Sequence, residues 1–396
     1  MYNDYSMDAR ATRDHGRHDA LAAKHRRYIS RGGLAMAFTL PVYHPPDFTK
    51  ESFLSSPNVR IEEVLQEGVA PAAFHGTTIF PEYFKIDGKW ILVEESRMDC
   101  AVVLRESGLE VVEQRRLRKG EKVIVGRGER GEEGIYVHTT GFVEEGDLGD
   151  KFAFRLGRSR ETSYSQDYDK LYDLLRHEKE QGYVVWVLGP AVAFDSDARD
   201  SMVALIRSGY VHGLLAGNAL AAHDLEAAIF RTALGQDIYT QNPLLHGHYH
   251  HLDVMNMARA AGSIEALVER EKIDSGVIHA CLELNVPMVL AGSIRDDGPL
   301  PGVIVDSCRA QDAMRVHTRK ATTLIGLATQ LHTIAAGNMT PSYQVVEGRV
   351  RPVYIYAVDI SEFAVNKLRD RGTLGVTSIV TNIQDFLVIL KRNLIG

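Results

Sequence analysis

Arg295, Asp296 and Asp297 stand together after one apolar run, and His332 closes the next. A guanidinium grips a carboxylate through two parallel hydrogen bonds. A carboxyl group or an imidazole can accept a proton and return it. The first run, Val286 to Ala291, is short and apolar enough to be a buried strand. It breaks at Gly292-Ser293, delivers the charged residues, and continues into Gly298-Pro299. Pro301 leads into Val303 to Lys320, whose apolar residues fall on one side of a helix. The second run, Thr323 to Ala328, ends in Thr329-Gln330-Leu331-His332. Two parallel strands joined this way carry an Arg, two Asp and a His at their carboxyl ends, where open α/β sheets bind ligands.

A second group of reactive side chains lies at Leu245-His246-Gly247-His248-Tyr249-His250-His251. Neutral imidazole is a common metal ligand. No Cys is adjacent, and His-x-His on a segment read as irregular is weak support for a metal. A hydrogen-bonding or proton-transfer role for one of these histidines is the expectation, and no metal ion is expected. The segment joins two helices at the level of the strand ends, within reach of a bound substrate.

The elements that must hold these residues are read from periodicity. From Tyr168 onward helices and strands alternate. Strand candidates are 183–188, 211–216, 286–291, 323–328, 352–358 and 376–380. The helices between them are 171–181, 197–208, 219–233, 263–285, 303–320, 361–371 and 383–394. The expected fold class is α/β, a doubly wound, mostly parallel sheet of about six strands covered on both faces. Small or polar residues end nearly every strand: Gly189, Asn218, Asp296, Asp359 and Asn382. Asp359 ends an apolar strand just before a helix. There a carboxylate bonds the adenosine ribose of NAD and repels the 2′-phosphate of NADP.

Pro41 to Phe154 is strand-rich instead. Asp87-Gly88 is the signature of a tight hairpin turn. Short strands at 100–104, 110–112 and 122–125 predict a small sandwich or barrel. Gly126, Gly128 and Gly131 spell G-x-G-x-x-G, but Gly134 to Thr140 is strand-like. A dinucleotide site needs a helix there, so these glycines are read as a polar turn. The expected domains are a mobile or helical tail (1–40), a smaller β-rich domain (41–155) and an NAD-binding α/β domain (156–396).

Composition narrows the partners. A net charge of −7 gives no electrostatic case for nucleic acid. Cys100, Cys281 and Cys308 are too few and scattered for a disulfide framework, so a reducing, cytoplasmic setting is expected. No apolar run reaches the roughly 18 residues of a membrane span, and no secretory signal is visible in the first residues. A small-molecule ligand and a homo-oligomer are the expected partners.

Several stretches resemble the LOR/SDH conserved-region family. They are Leu214 to Glu226 (LLAGNALAAHDLE), Gly247 to His251, Ala261 to Glu265, Ala291 to Pro301 (AGSIRDDGPLP), Leu331 to Asn338 (LHTIAAGN) and Val358 to Ile360. The likeness is strong from about Val185 onward and fainter over Phe84 to Val125. That family includes archaeal-type ornithine cyclodeaminases and the C-terminal part of bifunctional arginine dihydrolase/ornithine cyclodeaminases. The resemblance implies a tightly held NAD in a Rossmann-like domain similar to that of deoxyhypusine synthase. Its cofactor contacts would fall on Asn218, Ala219, Asp297, Thr329, Gln330, Leu331, His332, Asp359, Ile379 and Val380. Three departures are visible: the tail in place of an N-terminal α/β portion, a longer segment between Tyr343 and Val353, and Asn382 where Asp is more usual.

The resemblance also implies a reaction, L-ornithine to L-proline with loss of ammonia. The substrate Cα gives up a hydride and becomes an imine. The δ-amine attacks that carbon, ammonia leaves, and the cyclic imine regains the hydride. Asp296 and one of His250 or His251 are the acid/base candidates, and Arg295 the candidate for the substrate carboxylate. The competing reading of Arg295 with Asp296 is an ion pair that braces the turn. Two other functions fit the residues: a net NAD-dependent dehydrogenase of an amino acid or amine, and a non-catalytic NAD-binding sensor.

Overall fold

Six parallel strands dominate the C-terminal part of the chain. They are β1 (Val184–Leu188), β2 (Gly213–Gly217), β3 (Met288–Ala291), β4 (Thr323–Leu327), β5 (Tyr354–Asp359) and β6 (Val376–Val380). The computed structural model describes residues 38–142, 165–296, 298–361, 367–368 and 373–396. Leu40 to Gly396 forms one unit. Every β1 residue is buried, as a strand covered on both faces requires. The sheet order is β3-β2-β1-β4-β5-β6, with all pairings parallel. This is the Rossmann order, and it reverses between β1 and β4.

The helices are α1 (Ser165–Gln181), α2 (Ser196–Arg207), α3 (Asn218–Phe230), α4 (His248–Ala261), α5 (Ile264–Glu271), α6 (Val277–Glu283), α7 (Ser307–Thr318), α8 (Gln330–Met339) and α9 (Ile383–Leu394). Helices α7 and α8 cover one face of the sheet through Ala310, Met314, Ala336 and Met339. Helix α3 is buried nearly all round because other helices lie over it.

Three expectations are corrected. The helix read as 263–285 is two helices, because Lys272 takes a left-handed conformation (φ 53°) and Gly276 sits at φ 110°. The helix read as 303–320 begins at Ser307, where the Asp306 side chain accepts from the Arg309 N–H. His248 to His251 are not irregular: they form the first turn of α4. The helix read as 361–371 lies largely outside the described residues, as do the tail and its helix.

Residues 60–137 form two antiparallel sheets. One orders strands 60–63, 122–125, 101–105 and 108–112; the other orders 89–92, 82–86 and 135–137. Phe84 and Ile135 of one pack with Val102, Val111 and Ile124 of the other, which makes a small sandwich. The hairpin turns at Asp87 (φ 49°) and Gly88 (φ 77°), the paired positive angles of its turn type. The long segment before Val353 is a further hairpin, Tyr343–Val346 with Arg349–Pro352.

The glycine-rich stretch is a turn, and its amides are already used. Arg127 N and Gly128 N both donate to Glu133 Oε2 at 2.6 Å, and a strand follows at Ile135. A loop whose N–H groups hold the protein's own carboxylate offers nothing to a pyrophosphate. Gly128→Ala is therefore expected to leave NAD affinity within about threefold, read by calorimetry. The added methyl meets only the flexible Glu132 side chain. A selective collapse of NAD binding in the folded variant would relocate the cofactor to this loop.

Candidate active site

The carboxyl ends of the parallel strands bring together residues far apart in sequence. Asn218, the first residue of α3, accepts from Leu300 N at 2.9 Å and reaches Asp296 Oδ1 with Nδ2 at 3.5 Å. Asp296 Oδ2 accepts from Ser293 N at 2.7 Å, so its carboxylate shapes the turn after β3. His332 stands above Gly217: a methyl there would lie 2.9 Å from the imidazole. Burial holds the His332 imidazole below the usual histidine range, and the nearby Asp296 charge opposes that shift. Asn218, Asp296 and His332 thus meet over β2, β3 and β4.

The ends of β1 and β4 are pressed together at the reversal point. Gly189 N donates to Leu327 O at 2.8 Å, and a methyl on Gly189 would sit 2.0 Å from the Ala328 carbonyl oxygen. Ala328 itself is left-handed (φ 48°), which turns the chain from β4 into α8. Thr329 precedes α8 without a side-chain cap, and Gly217 precedes α3, also without one. By contrast α2, α7 and α9 are capped by Asp195, Asp306 and Asn382. The uncapped first turns keep N–H donors for an anion, which is what a pyrophosphate requires.

Asp359 ends β5 and lies directly beside Val380 of β6. Its Oδ1 accepts only a 3.2 Å bond from Ser361 N among the described residues, and the side chain is half-buried. Ile379 is buried and Val380 half-buried at the same edge. The residues present thus fit NAD in three places: Asn218 and Ala219 with His332, the α8 start at Thr329 to Leu331, and Asp359 with Ile379 and Val380. Asp297 lies outside the described residues. Asp359→Ala is expected to weaken NAD binding by about 10–100-fold, since a hydrogen bond to a charged group contributes roughly 1.5–3 kcal/mol. The same change should narrow the preference for NAD over NADP. Paired titrations with the two cofactors check both effects.

The side chains singled out from the sequence fall into two separate groups. No ion pair joins Arg295 and Asp296; Arg295 is exposed, and Asp296 is engaged by Ser293 and Asn218. His250 and His251 belong to a different cluster from Asp296. His250 stacks on Phe230 (centroids 4.6 Å apart), and its Nδ1 lies 2.8 Å from Thr232 Oγ1. His251 stacks on His223 at 4.9 Å, and His223 Nδ1 lies 2.9 Å from Glu226 Oε2. His223 and Glu226 were not singled out from the sequence. Their spacing, three residues apart on a helix, was the available signal.

Two family descriptions match the chain. One, the arginine dihydrolase ArgZ-like C-terminal Rossmann fold, covers residues 170–390, and its companion first region covers 81–158. The chain belongs to the ArgZ-like C-terminal family. Within it, an ornithine cyclodeaminase of Methanopyrus kandleri is 39% identical over 347 residues, spanning 85% of this chain and 78% of the relative. The bifunctional arginine dihydrolase/ornithine cyclodeaminase AgrE of Nostoc sp. is 36% identical over 344 residues, 85% of this chain but 47% of AgrE. Among solved structures, a LOR/SDH protein from Methanococcus maripaludis superposes with a TM-score of 0.75 at 34% identity, covering 85% of this chain and 98% of that one. AgrE in ternary complex with ornithine and NAD⁺ gives 0.52 at 35% identity, covering 86% and 46%. This ArgZ-like chain therefore shares both the sandwich and the Rossmann sheet with its family.

Proposed function

We propose that this protein is an NAD-dependent ornithine cyclodeaminase that converts L-ornithine to L-proline and ammonia. The observation that carries the reading is the meeting of Asn218, Asp296 and His332 over the Rossmann edge, in a chain whose relatives bear that activity. Bound NAD supplies a hydride acceptor that gives the hydride back within each turnover, so no net NADH accumulates.

The chain's own residues do the rest. Arg295, unpaired with Asp296 and exposed, is free to receive the substrate carboxylate. Asp296 is the acid/base beside the cofactor end marked by Asn218, and takes and returns a proton at a carboxylate oxygen. His251 and His250 are the next choices, on α4. The NAD contacts are the three groups named above, together with Asp297. The tail (1–40), sandwich domain (41–155) and NAD domain (156–396) are the proposed division of the chain. The partner is a small amino acid, and the protein is proposed to be a cytoplasmic homo-oligomer. The free thiols of Cys100, Cys281 and Cys308 support a reducing setting. Among the described residues no helix is long and apolar enough to cross a membrane.

One assay tests the reading. The protein is incubated with L-ornithine and one equivalent of NAD. Proline and ammonia without net NADH support a cyclodeaminase. Net NADH would make it a dehydrogenase, and no turnover would leave an NAD-binding protein with another role.

A further inference from the structure

His223 and Glu226 on α3 face His251 on α4, the helix packed against it. Each offers a ligand atom, and these atoms lie within 4.8 Å of one another. Residues three apart share one helix face, and a carboxylate with a histidine at that spacing is how facing helices hold metal ions in bundles. The third donor comes from across the helix pair.

One donor of the set is left unused. Among the described residues His251 Nδ1, which is buried, has no hydrogen-bond partner.

The surroundings are those of a held site. Thr232 Oγ1 donates to Glu226 Oε1 at 2.9 Å, and Gly235 N approaches the same oxygen at 3.3 Å. Because that hydroxyl proton is committed to Glu226, His250 Nδ1 is the donor in its contact with Thr232. Such outer hydrogen bonds fix the direction of a metal ligand. Phe194 packs edge-on to His223 at 5.3 Å.

We propose that His223, Glu226 and His251 bind one divalent first-row metal ion of the zinc class, with water in the fourth position. Two imidazoles and one carboxylate exclude the soft-thiolate metals and are too nitrogen-rich for calcium or magnesium. The ion pins α4 and the 232–237 hairpin onto α3. The site does not depend on the cyclodeaminase reading, although its His251 is a reserve acid/base candidate there.

The test uses the full chain after chelator treatment, titrated with Zn²⁺ by calorimetry and with Co²⁺ by visible absorption. One equivalent is expected, with the intense bands of four-coordinate Co²⁺ and a rise in melting temperature, because an ion that binds only the folded state stabilises it. His251→Ala should lose the equivalent, the bands and the rise while keeping its metal-free circular dichroism. Should that variant fail to fold, His251→Gln, closer in bulk, takes its place. The exposed pair is the control: His246→Ala with His248→Ala should leave the titration unchanged. No saturable equivalent in the unmodified chain overturns the proposal. So does an equivalent that survives in the folded His251 variant, or one that vanishes in the control.

Discussion

Asp296→Asn is expected to stay folded, keep its NAD and lose proline formation by about 10²-fold or more, the usual contribution of a positioned acid/base. The geometry makes this substitution informative. Asn keeps an oxygen that can accept from Ser293 N, the 2.7 Å bond that shapes the turn after β3. It removes the charge that faces His332 and the ability to take a proton. Loop shape and proton transfer are thus separated in one variant. Melting temperature, bound NAD and proline formation are measured on one preparation. A stable, NAD-loaded variant with full activity would reduce Asp296 to a loop cap, and His250 would be tested next. A variant that melts early and loses NAD would show that the carboxylate matters for the turn rather than the chemistry.

Gly189→Ala should be far more damaging to the fold. The new methyl would stand 2.0 Å from the Ala328 carbonyl oxygen and 2.7 Å from its carbon. Those are backbone atoms of the strand-to-helix turn, so no rotamer change relieves the contact. β1 and β4 would have to separate at their carboxyl ends, breaking the 2.8 Å bond from Gly189 N to Leu327 O. Overpacking a well-filled site costs about 1–3 kcal/mol and sometimes more; a clash with backbone belongs at or above the upper end. NAD affinity should fall as well, because the start of α8 is aimed by this turn. Chemical denaturation and NAD titration of the variant check both effects. An unchanged denaturation midpoint would mean that the two strand ends are not packed as described.

Much of this could be read along the chain. The six parallel strands have near-continuous apolar runs, and such a run reports burial whatever strand lies next to it. Asp87-Gly88 and the glycines before Ile135 were legible for the same reason: turn chemistry is set by a few adjacent residues. Asp359 could be picked out because an acidic end to an apolar strand is a local pattern. The break inside 263–285 was not legible. It lies at Lys272, whose left-handed conformation (φ 53°) its residue type does not announce.

The sequence by itself determined the alternation of strands and helices, the strand-rich first half, the turn at Gly126 to Gly131 and, through resemblance, the use of NAD. Only the tertiary structure decided that β1 lies between β2 and β4, because strand neighbours are chosen by crossovers and burial between distant segments. That choice sets His332 over Gly217 and places Asp296 beside Asn218. It also leaves Arg295 exposed and joins His251 to His223 and Glu226. Periodicity assigns each of these residues to an element. Which elements pack together, and therefore which side chains meet, depends on filling a shared interior, and that is a property of the whole chain.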